Sequence, residues 1–247
     1  AAVKPEDDPM QAAVVSTLRS AGFLVEDSVV FNIQGKRETD IFCYRDGVLF
    51  VFECKNAYLP CSPHELRNSY DLIVTSEKQL QIRADWLADH NNQSKLFAKL
   101  GWNLQPTTRV YTCAITANRL FSGYRMGAHP VRQAHELMNV VRSGSMRLVG
   151  HDQPHRRFWR GDEFHAEDLV DYLEGKSVVQ AQLDALVPTY RGYDFRGPVL
   201  AFEEYAMSMD DTVRIVDQRF RVIPDEAEAA MESGAASAAL GPATEGV

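Results

Sequence analysis

Residues 37–55 read RETDIFCYRDGVLFVFECK, two apolar runs on either side of an Asp-Gly pair. Residues 39–44 and 48–55 are rich in β-branched and aromatic side chains, a composition typical of strands. Asp46-Gly47 favours the tight turn that joins two antiparallel strands. The stretch therefore predicts a β-hairpin in the first half of the chain.

Three ionisable residues lie at the open end of this predicted hairpin. Glu53 and Lys55 share one face of the second strand, because side chains along a strand alternate with a period of two. Antiparallel pairing about the turn places Asp40 beside Glu53, since both lie equally far from it. Two carboxylates this close repel each other unless a cation lies between them, and oxygen ligands suit Mg²⁺ or Mn²⁺.

These residues predict a particular chemistry. A divalent cation with few protein ligands polarises a phosphoryl oxygen and lowers the pKa of an attacking water, while Lys55 orients or deprotonates that water. We therefore expect metal-assisted phosphodiester hydrolysis with Asp40 and Glu53 as metal ligands. Glu38, on the same face as Asp40, is either an extra ligand or a solvated residue at the strand start. A surface ion pair of Glu53 with Lys55 is the alternative.

The segments around the hairpin complete an α/β pattern. Apolar residues recur at helical spacing over 9–21, and residues 23–33 predict a strand or a bulged pair of strands. Residues 110–116 form a nearly uninterrupted run of β-formers, as in a strand buried on both faces, and a helix is predicted over 130–142. A further helix is predicted around 76–88, with one stripe formed by Leu80, Arg83, Ala84 and Leu87.

Composition divides the chain into three parts. Short acidic helices dominate the pattern beyond Gly161, so we expect a core over 1–160 and a mainly helical, acidic appendage or lid over 161–222. Residues 223–247 are rich in Ala, Gly, Ser and Glu and have few large apolar side chains. Such a segment cannot offset the entropy lost on ordering, which predicts a disordered tail.

Charge is segregated along the chain, whose formal net charge is −8. Residues 109–160 contain nine arginines against Glu136 and Asp152, whereas residues 161–247 contain 6 basic and 18 acidic residues. Because local field rather than total charge attracts a polyanion, 109–160 is a candidate nucleic-acid surface; alternatively, its arginines pair with the acidic last third. The candidate nucleic-acid-binding residues are Arg119, Arg125, Arg132, Arg156 and Arg157.

Other functional classes lack their signatures. No apolar run approaches the roughly 20 residues of a membrane helix, so we expect no membrane partner. The four cysteines form no regular disulfide or zinc pattern, and no Gly-x-x-x-x-Gly-Lys loop indicates use of ATP. No charged-then-apolar leader begins the chain, which favours a cytoplasmic location. Because the chain opens on Ala1, the sequence is compatible with a further domain upstream. It is also compatible with a homodimer or a protein partner.

A helix, three strands and the pattern Asp-x12-Glu-x-Lys across the second and third strands resemble the PD-(D/E)xK nuclease superfamily. The resemblance covers about residues 9–116. It implies a restriction-endonuclease-like three-layer core, αβββαβ, in which helices flank a central mixed sheet. It also implies that Asp40 and Glu53 bind Mg²⁺ or Mn²⁺ and that Lys55 is the catalytic lysine. Thr39 stands where the motif usually has proline.

The resemblance also implies auxiliary residues. Many members have a glutamate on the first helix, for which the best match here is Gln11 and a poorer one is Glu6. Glutamine can position a metal-bound water but brings no charge. Members with a glutamine in the helix after the motif suggest Gln79 or Gln81 as residues that contact a phosphate or a base.

Three functions are compatible with these observations. The first is a metal-dependent nuclease, with DNA as the expected substrate and the 109–160 segment holding its backbone. The second is a degenerate nuclease fold that binds nucleic acid or a protein without cleavage; Gln11 favours it, and the complete Asp40, Glu53 and Lys55 set weighs against it. The third is a small-molecule or structural α/β domain in which the motif is accidental.

Overall fold

The structure is a computed structural model of the 247-residue chain and describes residues 8–33, 35–147, 154–194 and 199–223. These residues divide into two compact units. The first contains the described residues up to Ser143 together with Gly161–Gln180, and the second contains those of Gly144–Arg160 and from Ala181 onward. These bounds differ from the predicted division after residue 160. Apart from Ile223, the predicted tail over 223–247 lies outside the described residues.

The first unit is an α/β structure built on a mixed sheet. The six strands of this sheet follow the order β1-β2-β3-β4-β6-β5. β3 is parallel to β4 and β4 to β6, whereas the other neighbours are antiparallel. In chain order the elements are α1 (Pro9–Ser20), β1 (Leu24–Asn32), β2 (Lys36–Arg45), β3 (Val48–Lys55), α2 (Pro63–Leu87), α3 (His90–Leu100), β4 (Val110–Thr116), β5 (Arg125–Met126), β6 (His129–Gln133), α4 (Ala134–Arg142) and α5 (Ala166–Leu173).

The hairpin that the sequence predicts is present as β2 and β3. The two strands pair antiparallel, with Ile41 opposite Phe52. Asp46 and Gly47 have φ values of 52° and 79°, the positive values that a two-residue turn of this kind requires at both central positions. β3 is buried from Val48 to Cys54 because β2 and β4 flank it and helices cover the sheet.

Helix packing positions α2 against the hairpin. α2 contacts β3 and β4, while α1 contacts β1, β2 and α4. Ile73, Leu80 and Leu87 of α2 join Phe42 of β2 and Val51 of β3 in one buried apolar cluster. Full burial of a side chain of this size contributes about 1.5–3 kcal/mol, so the cluster holds α2 firmly against one face of the sheet.

Capping side chains set where α1 and α2 begin. Asp8 accepts a hydrogen bond from the backbone N–H of Met10 (2.9 Å), and Ser62 accepts one in the first turn of α2. A proline follows each cap, at a position where its missing N–H costs no helical hydrogen bond. α2 is therefore longer than the helix predicted around 76–88.

The segment over 130–142 corrects the prediction of a single helix. It begins within β6 and becomes helical only at Ala134. Val131 lies opposite Ala114 of β4 in parallel pairing and is fully buried. β4 needs a neighbour on this side to satisfy its backbone hydrogen-bonding groups. That tertiary requirement overrides the local helical spacing.

The second unit contains two small sheets. β9 and β10 form a two-stranded hairpin, and the other sheet has the order β11-β8-β7. The prediction of a mainly helical appendage did not include this pair of strands. None of the described helices is both long and apolar enough to cross a membrane. The elements are β7 (Ser145–Arg147), β8 (His155–Arg157), β9 (Leu186–Asp194), β10 (Val199–Met207), α7 (Met209–Arg219) and β11 (Arg221–Ile223), with α6 (Val178–Asp184) spanning the boundary between the units.

Candidate active site

The open end of the β2–β3 hairpin brings two carboxylates together. Asp40 and Glu53 lie one step beyond the pair formed by Ile41 and Phe52. The Asp40 carboxylate accepts a hydrogen bond from the backbone N–H of Cys54 (2.6 Å), which fixes it across the two strands. Sequence register alone therefore places both carboxylates at the same end of the sheet.

Lys55 joins the two strands of the site to α2. Its Nζ donates to Glu53 Oε1 (2.8 Å) and to Gln79 Oε1 (3.2 Å). The Glu53 side chain is 3% exposed and that of Lys55 is 17% exposed, so this is not a surface ion pair. An unpaired buried charge is strongly destabilising, so a carboxylate as buried as Glu53 needs such a partner.

Arg83 of α2 is a further member of the site that the sequence did not single out for function. Its Nε donates to Thr39 Oγ1 (2.6 Å) and its Nη2 donates to the backbone carbonyl of Glu38. Arg83 Nη2 also lies 3.3 Å from Glu53 Oε2 as an ion pair. The available signal was an arginine on the apolar stripe of a predicted helix, where a charge needs a partner.

Gln11 supports the hairpin from α1. Its side-chain Nε2 donates to the backbone carbonyl of Asp40 (3.0 Å) and to Ser28 Oγ (3.3 Å). The amide nitrogen therefore bonds the main chain of β2 and the side chain of a β1 residue. Glu6, the poorer match, lies outside the described residues.

The remaining auxiliary candidates lie in different environments. Glu38 is exposed, and its backbone carbonyl rather than its carboxylate contacts Arg83. Gln81 bonds Asp85 (2.7 Å) and His129 (3.2 Å), away from the two carboxylates. Of the two glutamines of α2 that the resemblance suggests, Gln79 is the one in the site.

Asp8 is another acidic residue near the site that the sequence did not suggest. Besides capping α1, its Oδ1 accepts a hydrogen bond from Asn56 Nδ2 (3.2 Å), directly after β3. Burial raises the pKa of the Cys54 thiol, and the negative charges of Asp40, Glu53 and Asp8 raise it further. The negative potential at this end of the sheet thus has more than one source.

A cavity of about 430 Å³ opens between β2, β3 and α2. Burial, and then the neighbouring charge of Glu53, raise the pKa of Asp40 from 3.8 to about 6, although the Cys54 N–H, Lys55 and Arg83 oppose the shift. The site thus disfavours a second negative charge unless a cation compensates it. The cavity is lined by Arg37, Glu38, Asp40, Glu53, Gln79 and Arg83.

The carboxylate oxygens of Asp40 and Glu53 suit a divalent cation that prefers oxygen ligands. Asp40 and Glu53 line the same cavity, and Glu53 Oε2 is buried without accepting a hydrogen bond from any described residue. Within the described part of the chain, no group of three or more His, Cys, Asp or Glu side chains is arranged to hold a metal, so the fit rests on two carboxylates. Mg²⁺ is often held by one or two carboxylates and keeps several waters.

Two of the five predicted nucleic-acid-binding arginines are exposed. Arg119 donates to Gln133 Oε1 (3.3 Å). Arg125 donates to the carbonyl of Ala128 (2.8 Å) and pairs with Glu174 (3.3 Å). The pairing of arginines with the acidic last third, which the sequence left open, is therefore found at Arg125.

The other three arginines are buried, which corrects their assignment to a nucleic-acid surface. Arg132 is 1% exposed and donates to the backbone carbonyls of Tyr172 (3.2 Å) and Leu173 (2.7 Å). Arg156 and Arg157 of the second unit are 1% and 4% exposed. These guanidinium groups carry positive charge inside the protein rather than at its surface.

Comparisons with known proteins leave the family open. No protein-family model matches the chain, and no curated protein matches it. The chain is similar to the crystal structure of AF1548, a protein of unknown function, with a TM-score of 0.29 and 13% sequence identity. That likeness covers 72% of this chain and 85% of the other. A TM-score of this size does not establish a common fold or function.

Proposed function

We propose that this protein is a metal-dependent nuclease that hydrolyses phosphodiester bonds in DNA. The supporting observation is that Asp40 and Glu53 line one cavity at the end of a buried hairpin, with Lys55 bonded to Glu53. The order of α1, three antiparallel strands, α2 and the parallel strand β4 is compatible with a restriction-endonuclease-like core, which is part of the proposal. A cytoplasmic location also belongs to it.

Each residue has a distinct role in this proposal. Asp40 and Glu53 would hold Mg²⁺ or Mn²⁺. When bound, such a cation polarises a phosphoryl oxygen and lowers the pKa of a coordinated water. Lys55 Nζ, held by Glu53 and Gln79, would orient the attacking water and offset negative charge as it develops on the phosphate. Arg83 would keep Glu53 in position from the opposite side.

Binding of nucleic acid or a protein without cleavage is the second candidate function. Gln11 favours it, since the amide nitrogen at this position donates to the Asp40 carbonyl and brings no charge to the cavity. The Arg83 ion pair favours it as well, because Arg83 already compensates the charge of Glu53. Under this alternative the site would be a structural charge network.

Cleavage assays separate the two candidates. Supercoiled plasmid and single-stranded DNA are incubated with the full chain in Mg²⁺, Mn²⁺ or EDTA. We expect cleavage with either metal, none in EDTA, and a rate at least about 100-fold lower in Lys55→Ala. Lys95→Ala, which removes an exposed lysine of α3, is the matched control and should cleave like wild type. DNA binding without cleavage under every metal condition would favour the second candidate.

A further inference from the structure

Two arginines that line the active-site cavity each have a buried hydrogen-bond donor without a partner among the described residues. Arg37 Nε and Arg83 Nη1 are buried atoms that donate to none of the described residues. Arg37 and Arg83 nevertheless both line the cavity. Buried N–H groups of charged side chains are normally bonded, because leaving them without an acceptor is costly. Two such groups on one cavity indicate that an acceptor from outside the chain belongs there.

The two arginines line the same cavity, and their positive charges affect each other. Burial is the main cause that lowers the pKa of Arg83, and the positive charge of Arg37 lowers it further. Arg83 has Glu53 as its ion-pair partner, whereas Arg37 forms no ion pair with a described residue. The cavity is therefore lined by one arginine with an ion-pair partner and by one that has none among the described residues.

A third donor is available beside them. Gln79 lines the same cavity, and its side-chain oxygen accepts a hydrogen bond from Lys55. The other polar group of that amide is an NH₂, which can only donate. Guanidinium and amide groups together match an acceptor-only ligand, and a planar guanidinium fork suits the tetrahedral oxygens of phosphate.

We infer that Arg37 and Arg83, with the Gln79 amide, form a subsite for a phosphate oxyanion of the nucleic-acid substrate. The inference rests on the proposed nuclease function and adds to it a set of residues that bind substrate. Asp40 and Glu53 line the same cavity, so a phosphate in the subsite lies near the carboxylates. The phosphate is either a backbone phosphodiester or a terminal phosphate monoester, which share this chemistry.

Inorganic phosphate is the first probe. Its binding to the full chain is measured by isothermal titration calorimetry, once with Mg²⁺ and once with EDTA. We expect binding in at least one condition, and an affinity at least about tenfold lower in Arg37→Gln. Arg83→Lys is the second variant, because it retains a charge opposite Glu53 but loses the guanidinium fork. Lys95→Gln is the control and should bind like wild type. The inference is overturned if phosphate does not bind, or if Arg37→Gln and Arg83→Lys both bind it as wild type does.

Oligonucleotides identify the source of the phosphate. Single-stranded DNA of one sequence, with a 5′-phosphate or a 5′-hydroxyl, is titrated in EDTA against wild type and Arg37→Gln. If Arg37→Gln lowers the affinity for both oligonucleotides equally, the subsite binds a backbone phosphodiester. If it lowers the affinity only for the 5′-phosphorylated oligonucleotide, the subsite binds a terminal phosphate. If Arg37→Gln binds both oligonucleotides as tightly as wild type does, the inference is overturned.

The outcome is independent of catalysis. Arginine-dependent phosphate binding in a protein that never cuts DNA would contradict the proposed function while supporting the subsite. Metal-dependent cleavage without arginine-dependent phosphate binding would support the function and contradict the subsite.

Discussion

Arg83 Nη2 lies 3.3 Å from Glu53 Oε2, and the two side chains are 1% and 3% exposed. The pair joins the C-terminal part of α2 to the end of β3. Since Arg83 also bonds Thr39 Oγ1 and the Glu38 carbonyl, one side chain fastens both strands of the hairpin to the helix. The helix that supplies Gln79 is thereby held in a fixed position relative to Asp40, Glu53 and Lys55.

The first prediction concerns this ion pair. Arg83→Ala should lower the free energy of unfolding by up to about 3–5 kcal/mol, because it removes one of the two cations that pair with the buried Glu53 and the donor to Thr39 and the Glu38 carbonyl. Arg19→Ala is the control: its pair with Asp27 is exposed and should contribute less than about 1 kcal/mol. Urea denaturation followed by circular dichroism measures both. Equal losses in the two variants would show that the buried pair has no special role in stability.

The second prediction follows from the pKa of Asp40, which is raised to about 6. A carboxyl group whose pKa rises on folding binds its proton more tightly in the folded state. The metal-free protein should therefore lose stability as pH rises from about 4 through about 6, with no further loss from this group above that range. Two pKa units correspond to about 3 kcal/mol at most, and partial solvent exposure reduces this to about 1–2 kcal/mol.

Asp40→Asn tests that pH dependence. The free energy of unfolding of the variant, minus that of wild type, should increase by about 1–2 kcal/mol as the pH rises from about 4 to about 8. Carboxyl groups distant from Asp40 titrate alike in both proteins and cancel. Asp27→Asn, at an exposed ion pair of the same sheet, should not show this trend. A constant difference for Asp40→Asn across the range would contradict the raised pKa.

The third prediction concerns metal binding. Mg²⁺ or Mn²⁺ should raise the melting temperature of wild type and EDTA should reverse the rise, since a ligand that binds only the folded state stabilises it. At a concentration about 100 times the dissociation constant, the gain is about 2.7 kcal/mol. Asp40→Asn should lose the response, whereas Lys55→Ala and Asp27→Asn should keep it. An unchanged response in Asp40→Asn would exclude Asp40 as a ligand.

The fourth prediction assigns a structural role to Gln11. Gln11→Ala removes the hydrogen bonds to the Asp40 carbonyl and to Ser28, so it should lower the free energy of unfolding by about 1 kcal/mol. The rise in melting temperature with Mg²⁺ should persist, because the amide nitrogen faces protein acceptors. Thermal melts with and without metal measure both effects. Loss of the metal response would instead identify Gln11 as part of the metal site.

The fifth prediction separates exposed from buried arginines. Arg119→Ala should weaken DNA binding and reduce the slope of log affinity against log salt by about 1, as expected when one phosphate contact is lost. Arg132→Ala should act mainly on stability, because Arg132 donates to the backbone carbonyls that end α5. Fluorescence anisotropy over a range of salt concentrations measures the first effect, and urea denaturation the second. A salt slope unchanged in Arg119→Ala would remove this residue from the DNA surface.

The β2–β3 hairpin and the position of its ionisable residues could be predicted from the sequence. Asp46-Gly47 sets the turn, and equal distances from that turn place Asp40 and Glu53 together. The alternation of side chains along β3 then places Lys55 beside Glu53. These relationships are local, because turn chemistry and the two-residue period of a strand operate within a few residues.

Contacts between distant segments could not be read in this way. Arg83 meets Glu53 only because apolar packing lays α2 across one face of the sheet. Arg132 belongs to a run rich in arginine, yet it is buried because β6 pairs with β4 in the interior of the sheet. Its charge is stabilised by hydrogen bonds to backbone carbonyls 40 and 41 residues further along the chain.

The sequence by itself determined the hairpin, the pairing of its two carboxylates and the face that carries the lysine. Tertiary structure alone decided which arginines face a cavity, which are buried as structural supports, and where Gln11 directs its amide. The physical reason is that strand register is set by neighbours along the chain, whereas the burial and partner of a charged side chain are set by which distant element packs over it.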